Sequence, residues 1–275
     1  MSEGGSLLGR QRQAWILERI RIDGGVRVAD LVRQFNVSDM TVRRDLELLA
    51  ERGLVEKVHG GATAVEGGPV VEPGFAAKSS LQQAEKDAIA REAARLVRPR
   101  TAIAISAGTT TYALAGELLD IPGLTVVTNS PPVADLLHYS GRSDQTIILT
   151  GGVRTPSDGL VGPIAVSALR SVHVDLVLMG VHGMDPHTGF TTPNLLEAET
   201  DRALIETGRR LVIVADHTKF GVIGISSIGR LDEADVLITD AGLGAEAQSA
   251  LREVVGQLVV VDPATGGLVE EAVAS

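Results

Sequence analysis

Apolar positions follow two different grammars along this chain. Up to about residue 64 they recur at helical spacing. Residues 11–22 make a stripe around Trp15, Ile16, Arg19 and Ile20, and "DGG" at 23–25 breaks it. "VRVADLVRQF" (26–35) predicts a second helix, and "NVS" (36–38) a tight turn in which Ser38 is a good N-cap. "DMTVRRDLELLAERG" predicts a third helix, with Val42, Leu46 and Leu49 at i, i+4 and i+7 and Gly53 as its stop. "LVEKVHGGATAV" reads as two short strands around His59, Gly60 and Gly61, a wing beside two helices joined by a brief turn.

From residue 79 onward the grammar changes. Short β-branched runs, apolar on both faces, predict strands at 101–106, 124–129, 146–151, 175–180, 210–216, 235–240 and 257–262. Amphipathic stretches at 81–98, 111–119, 131–138, 162–170, 194–208 and 244–254 predict helices between them. That alternation is the signature of an α/β domain, a Rossmann-like, mostly parallel sheet flanked by helices. "VEGGPVVEPGFAAK" (65–78) is rich in Gly and Pro and has no period, so it reads as a linker. The expected division is 1–64, a winged helix-turn-helix; 65–78, the linker; and 79–275, the sheet domain.

Composition narrows the chemistry. The net charge of −10 alone argues against nucleic acid, but its distribution does not. Residues 1–64 carry ten basic and nine acidic side chains, and 65–275 carry fifteen and twenty-six. A near-neutral head still binds DNA if its cations share one face. Aromatics at 3% disfavour a stacking platform for single strands. The absence of cysteine excludes disulfides and thiolate chemistry and fits a reducing cytoplasm. The polar opening "MSEGGSLLGRQRQ" does not read as a secretory leader, and no apolar run has the length of a membrane span. His173, His182, His187 and His217 lack a metal-ligand spacing, so neither metal nor cofactor is expected.

Two stretches carry candidate chemistry. On the third helix, Met40, Thr41, Arg43, Arg44 and Glu47 fall on the arc opposite the apolar stripe. Arginine grips a guanine edge or a phosphate with two donors, and threonine does either more weakly. In "AISAGTTTYALAG" a strand runs through Gly108 into a helix. The first amides of a helix have no internal partner and face an incoming anion. Thr109, Thr110 and Thr111 add hydroxyl donors. The spacing is neither that of a nucleotide-triphosphate loop nor of a dinucleotide fingerprint, and a monophosphate ester suits it better. Simple capping by threonine is the plainer alternative. Other strand ends supply Asn129 for sugar hydroxyls, Gly152 with Arg154 and Lys219 for phosphate, and Asp185, Glu197 and Asp216 as acceptors.

"VSDMTVRRDLELLAERGLVEKVHGGA" (37–62) resembles the DNA-binding segment of the DeoR family of bacterial transcription regulators. The resemblance continues through "EK" (85–86), "AGTTT" (107–111), "LTVVTNS" (124–130), "TGGVR" (150–154), "VGPIA" (161–165), "GVHGMDPHTGFTT" (180–192), the Glu197–Glu199 region and "ADHTKFG" (215–221), in the order of that family's sensor domain. It implies a third helix in the major groove, a wing along the backbone, and a sheet similar to that of ribose-5-phosphate isomerase. The DNA contacts on this reading are Arg27, Ser38, Thr41, Arg43, Arg44, Lys57 and His59. The effector contacts are Ser106, Gly108, Thr109, Thr110, Thr111, Asn129, Gly152, Arg154, Asp185, Glu197, Asp216 and Lys219. The implied partners are double-stranded operator DNA, a phosphorylated sugar or amino sugar that releases the protein from it, and further copies of the chain in a homodimer or homotetramer. Three departures stand out: Glu56 before Lys57 where two basic residues are usual, Ser106 where an aspartate is usual, and Thr218 where serine is usual.

Three classes of function fit some of these features. They are a repressor of carbohydrate genes, a sugar-phosphate isomerase with Glu197 or Asp185 as base and Lys219 beside it, and a constitutive DNA-binding protein whose sheet only oligomerises. The first 64 residues, for which an isomerase has no use, favour the first class over the second. The outward hydroxyls of the threonine loop favour it over the third.

Overall fold

The computed structural model describes residues 9–23, 25–51, 54–58, 60–63 and 74–273, which divide into two compact units, 1–81 and 82–275. His59, the helix stop at Gly53 and residues 65–73 of the expected linker lie outside the described residues.

The first unit runs α1 (Gly9–Asp23), β1 (Gly25–Arg27), α2 (Val28–Phe35), α3 (Asp39–Glu51), β2 (Glu56–Val58), β3 (Gly61–Thr63) and α4 (Phe75–Lys78). Ile16 and Ile20 of α1, Val28, Leu31 and Phe35 of α2, and Val42, Leu46 and Leu49 of α3 close one small core with Val55 and Ala62. Each large aliphatic buried there contributes about 1.5–3 kcal/mol. Two expectations need correcting. Val26 and Arg27, expected to begin the second helix, belong instead to a strand with Gly25, because β1 pairs antiparallel with β3 and makes the wing a three-stranded sheet. Phe75–Lys78, at the end of the expected linker, is a helical turn.

The second unit continues α5 (Gln83–Ala94), β4 (Ala102–Ile105), α6 (Thr109–Glu117), β5 (Thr125–Thr128), α7 (Pro131–Tyr139), β6 (Thr146–Leu149), β7 (Val153–Arg154), β8 (Leu160–Val161), α8 (Pro163–Leu169) and β9 (Leu176–Gly180). It then runs β10 (Gly183–Asp185), β11 (Gly189–Thr192), α9 (Leu195–Thr207), β12 (Leu211–Val214), β13 (Ser226–Gly229), β14 (Val236–Asp240), α10 (Ala245–Arg252), β15 (Gln257–Val261) and β16 (Leu268–Val273). Eight strands form one sheet in the order β16-β15-β14-β12-β9-β4-β5-β6. All seven predicted strands lie in it and run parallel, and β16 closes one edge antiparallel. Side chains alternate between two cores. Ile103, Ile105, Leu176 and Leu178 pack under α5, α6 and α7, while Ala104, Val177 and Met179 face the opposite helical layer. That two-sided burial explains why the strands read as continuous apolar runs. A hairpin of β7 and β8 and a three-stranded β10-β11-β13 sheet stand apart from the main sheet.

The chain builds the sheet outward from β4, first through β5 and β6, then back through β9, β12, β14 and β15 on the other side. β4 and β9 therefore flank the point where strand order reverses. In an open α/β sheet the ligand crevice lies at that point, beyond the carboxyl ends of the strands.

Candidate DNA-binding face and ligand crevice

The helix-turn-helix face is assembled by its caps. Asn36 takes a left-handed conformation (φ 50°) after α2, which turns the chain sharply. The Ser38 hydroxyl accepts from the Thr41 amide at 3.1 Å and lies 2.8 Å from the Thr41 hydroxyl. Ser38 thus positions the start of α3, as a cap should, and Thr41 is half-buried beside it. Arg43 pairs with Asp39 one turn back on the exposed side. Arg44 is exposed and makes no ion pair among the described residues. Lys57 of β2 reaches Glu47 of α3 at 3.1 Å, so the wing and α3 are tied by an exposed ion pair. Between them lies a groove of about 520 Å³ lined by Met40, Arg43, Arg44, Glu47, Lys57 and Val58 among others. Arg27 is exposed at the end of β1, opposite Gly61. Gly61 must lack a side chain, because a Cβ there would sit 2.0 Å from the Val26 carbonyl oxygen.

Asp45 belongs to the architecture rather than to the DNA. It is buried inside α3, where Arg12 donates to Oδ2 and Gln13 to Oδ1 at 2.9 Å. Nothing in the spacing of α3 announces it, since its partners lie more than thirty residues earlier.

At the sheet's carboxyl edge the expected ligand residues separate into two groups. The first group is spent on the scaffold. Ser106, 1% exposed, accepts from the Gly180 amide at 3.0 Å and so joins the ends of β4 and β9 across the switch point. Asn129, 3% exposed, accepts from the Ala107 amide at 2.8 Å and donates to the Leu160 carbonyl at 3.2 Å. It fastens the threonine loop to the β7–β8 hairpin instead of offering its amide outward. Thr111 is buried and donates to the Gly108 carbonyl at 3.0 Å. Gly152, with φ 124°, lets the chain pass the Val161 carbonyl, which a Cβ would approach to 2.6 Å. Asp185 accepts from the His187 and Thr188 amides at 2.9 and 3.0 Å and shapes the β10–β11 turn. Burial disfavours its charge, but those amides outweigh it and hold the carboxyl below its ordinary range. Arg154 pairs with Asp158 at 2.9 Å in the open, and Glu197 accepts from the Thr192 hydroxyl at 3.1 Å.

The second group gathers where α6 begins and β12 ends, and several of its side chains are themselves buried, Thr110 at 7% and Asp216 at 1% exposure. Gly108 caps α6, and Thr109 and Thr110 form its first turn. Thr109 is half-buried. Gly180 lies under this turn, and a Cβ there would meet the Thr111 methyl at 3.7 Å and the Val214 carbonyl at 3.9 Å. β12 therefore ends beside the threonine loop. Directly after it come Asp216 and Lys219. Asp216 is buried and accepts from the Thr218 amide at 3.0 Å and from the Thr218 hydroxyl. Its burial is opposed by Lys219, Thr218 and Lys86, which together hold the carboxyl below its ordinary value. Lys86, 4% exposed on α5, acts on the Asp216 charge and is a neighbour that reasoning from strand ends missed. The signal was present in "EK" at 85–86, which carries the family likeness without announcing where its lysine goes. His217 was also missed as a site neighbour. Its Nδ1 donates to Asp240 at 2.7 Å, and that bond raises the imidazole above its ordinary value against the cost of burial, with Asp216 and Glu85 adding to the rise. Among the described residues no group of three or more His, Asp or Glu forms a metal site, and no helix is long and apolar enough to cross a membrane.

Comparison with known proteins covers both units. The model for the DeoR-like helix-turn-helix domain matches residues 12–67, and that for the DeoR C terminal sensor domain matches residues 81–241. The glycerol-3-phosphate regulon repressor of Escherichia coli (strain K12) is 35% identical over 232 residues, covering 84% of this chain and 90% of that protein. The HTH-type transcriptional regulator GolR of Listeria innocua is 36% identical over 231 residues, with 84% and 90% covered. Among solved structures, ribose 5 phosphate isomerase A from Neisseria gonorrhoeae aligns with 51% of this chain and 54% of its own at 14% identity, with a TM-score of 0.36. That likeness is too slight to bear on activity. Matched in order through both its parts, and at more than 30% identity over most of its length, the chain belongs to the DeoR family of transcriptional regulators.

Proposed function

We propose that this protein is a repressor that holds operator DNA through α3 and the wing and lets go when a phosphorylated sugar or amino sugar occupies the sheet's carboxyl edge. The observation that carries the sensor half is the pairing of an open α6 N-terminus, bearing Thr109 and Thr110, with Lys219 and Lys86 around the end of the neighbouring strand. Helix amides and hydroxyls bind phosphate oxygens, and the lysines balance the charge. Asp216 sits among the cations as an acceptor for a sugar hydroxyl or an amino group. Relatives named as repressors, one of a glycerol-3-phosphate regulon, support the same reading. In the head, Arg44 of α3 is exposed and reads a base edge, while Arg43 and Lys57 exchange their carboxylate partners for phosphates.

The reading is non-catalytic. Asp185 and Glu197, the carboxylates an isomerase would use as base, are engaged in a turn and with Thr192. Incubation with aldose and ketose phosphates should give no turnover, and measurable isomerisation would overturn this part. The test of the whole is a gel shift on the promoter DNA next to the gene, titrated with a panel of sugar phosphates. Arg44→Ala should weaken binding by about 1–3 kcal/mol without altering circular dichroism. Thr109→Ala with Thr110→Ala should keep DNA binding and lose the response. If the double variant still releases DNA at the same metabolite concentration, the crevice is not the sensor. We take the protein to act in the cytoplasm as a two-fold oligomer, since a single recognition helix reads only one half-site.

A further inference from the structure

The two edges of the eight-stranded sheet are built differently. β16 carries Glu270 and Glu271 in its middle, and acidic residues on an edge strand discourage pairing with a like strand. β6 at the opposite edge has no such guard. From Thr146 to Val153 the sequence is "TIILTGGV", with no charge, no proline and no bulge against β5. Ile148 and Leu149 are 38% and 44% exposed, and Val153 and Ile164 nearby are 65% and 67% exposed. The chain after β6 runs beside Ile164: Gly151, between Leu149 and Val153 in sequence, would place a Cβ 3.4 Å from the Ile164 side chain.

The ladder fixes which backbone groups face outward. Thr146 N–H donates to Leu124 at 2.9 Å, and Thr150 N–H donates to Thr128 at 3.0 Å. Alternation along the strand gives Ile148 the same direction and turns the amides and carbonyls of Ile147 and Leu149 away from β5. Among the described residues no strand pairs with that side.

We propose that β6 is an interface with a second copy of this chain, the two β6 strands pairing antiparallel across a two-fold axis. The occupant follows from three features. An isologous contact sets a strand against itself, so an uncharged strand complements itself where a charged one would repel. Antiparallel self-pairing obeys the two-fold symmetry that a protein with one recognition helix per chain needs to read paired half-sites. Val153 and Ile164 extend the strip into an apolar patch beside the strand, the arrangement of an interface core within a polar rim. The symmetry argument rests on the regulator reading above, but the strand chemistry does not.

Sedimentation of the full chain without DNA separates the two. The wild type should have twice, or an even multiple of, the 28.8 kDa mass of one chain. Leu149→Pro removes an outward amide without touching the bonds to β5, and should halve that mass while leaving circular dichroism unchanged. Ile148→Lys should do the same by burying a charge at the axis. Val269→Lys, on the guarded edge, should leave the mass as it is. A wild type that sediments as a monomer overturns the proposal. So do both β6 variants keeping the wild-type mass, or Val269→Lys alone splitting the oligomer. A wild type that self-associates through β6 yet fails to bind DNA would instead remove the regulator reading and leave this interface standing.

Discussion

The buried carboxylate of Asp45 makes a sharp energetic prediction. It lies inside α3 with Arg12 on one oxygen and Gln13 on the other, and the Arg12 and Asp45 side chains are only 9% and 6% exposed. Removing one partner of a buried ion pair costs about 3–5 kcal/mol, because the other charge is left in a poor solvent. Asp45→Ala should cost the head at least about 3 kcal/mol, a large share of the 5–15 kcal/mol typical of a domain. The protein supplies its own local probe. Trp15 is the only tryptophan, sits in α1, and meets Phe35 edge-on at 5.0 Å. Its fluorescence reports the first unit alone, whereas far-ultraviolet circular dichroism reports both. At a urea dependence of about 1–3 kcal/mol/M, the Trp15 midpoint should fall by about 1 M or more, while the main dichroism transition stays in place. Replacing both partners with apolar residues, Arg12→Met with Asp45→Leu, should recover much of the loss. A loss of stability in Asp45→Ala, read from the Trp15 transition, of less than about 0.5 kcal/mol would refute the idea that this pair holds α1 to α3.

Two other predictions rest on single contacts. Gly61→Ala forces a Cβ into the Val26 carbonyl, so the wing should come away from β1 and DNA affinity should fall while the sensor's thermal transition is unchanged. An unchanged gel shift would mean the wing contributes little. His217 has its pKa raised by Asp240, so the linkage has a definite sign: its contribution to sensor stability is full below about pH 6.5 and is lost as pH rises through the folded value. The sensor's urea midpoint should therefore drop across that window in the wild type and stay flatter in Asp240→Asn, and parallel profiles would count against the pair.

What could be read from the sequence depended on how local the physics was. The seven parallel strands were legible because burial on both faces leaves an apolar run that needs no partner to be recognised. β16 was missed because an antiparallel edge strand with "EE" in its centre lacks that run. The first turn of the second predicted helix was misread because residues 25–27 become a strand only through β3, more than thirty residues later. At the crevice, strand-end position identified the right neighbourhood but not the roles. Ser106, Asn129 and Thr111 are polar side chains as able to meet a ligand as Thr109, and only the tertiary structure shows that Gly180, Ala107, Leu160 and Gly108 have already taken their hydrogen bonds.

That division changes what the departure at Ser106 means. An aspartate at this position would carry a charge into a buried place beside the Gly180 amide, and would stay ionised only with cations or a ligand hydroxyl to offset the burial. Serine satisfies the same amide with a neutral oxygen, so the switch point is closed whether or not a ligand is present. If the crevice holds the effector as proposed, the discriminating contacts fall to Thr109, Thr110, Asp216, Lys219 and Lys86. On this argument Ser106→Asp should change which sugar phosphate releases the protein from DNA, because the crevice would gain an acceptor that the present site supplies only from the β12 side. A panel titration in which Ser106→Asp responds to the same compounds in the same order as the wild type would show that residue 106 serves the scaffold alone.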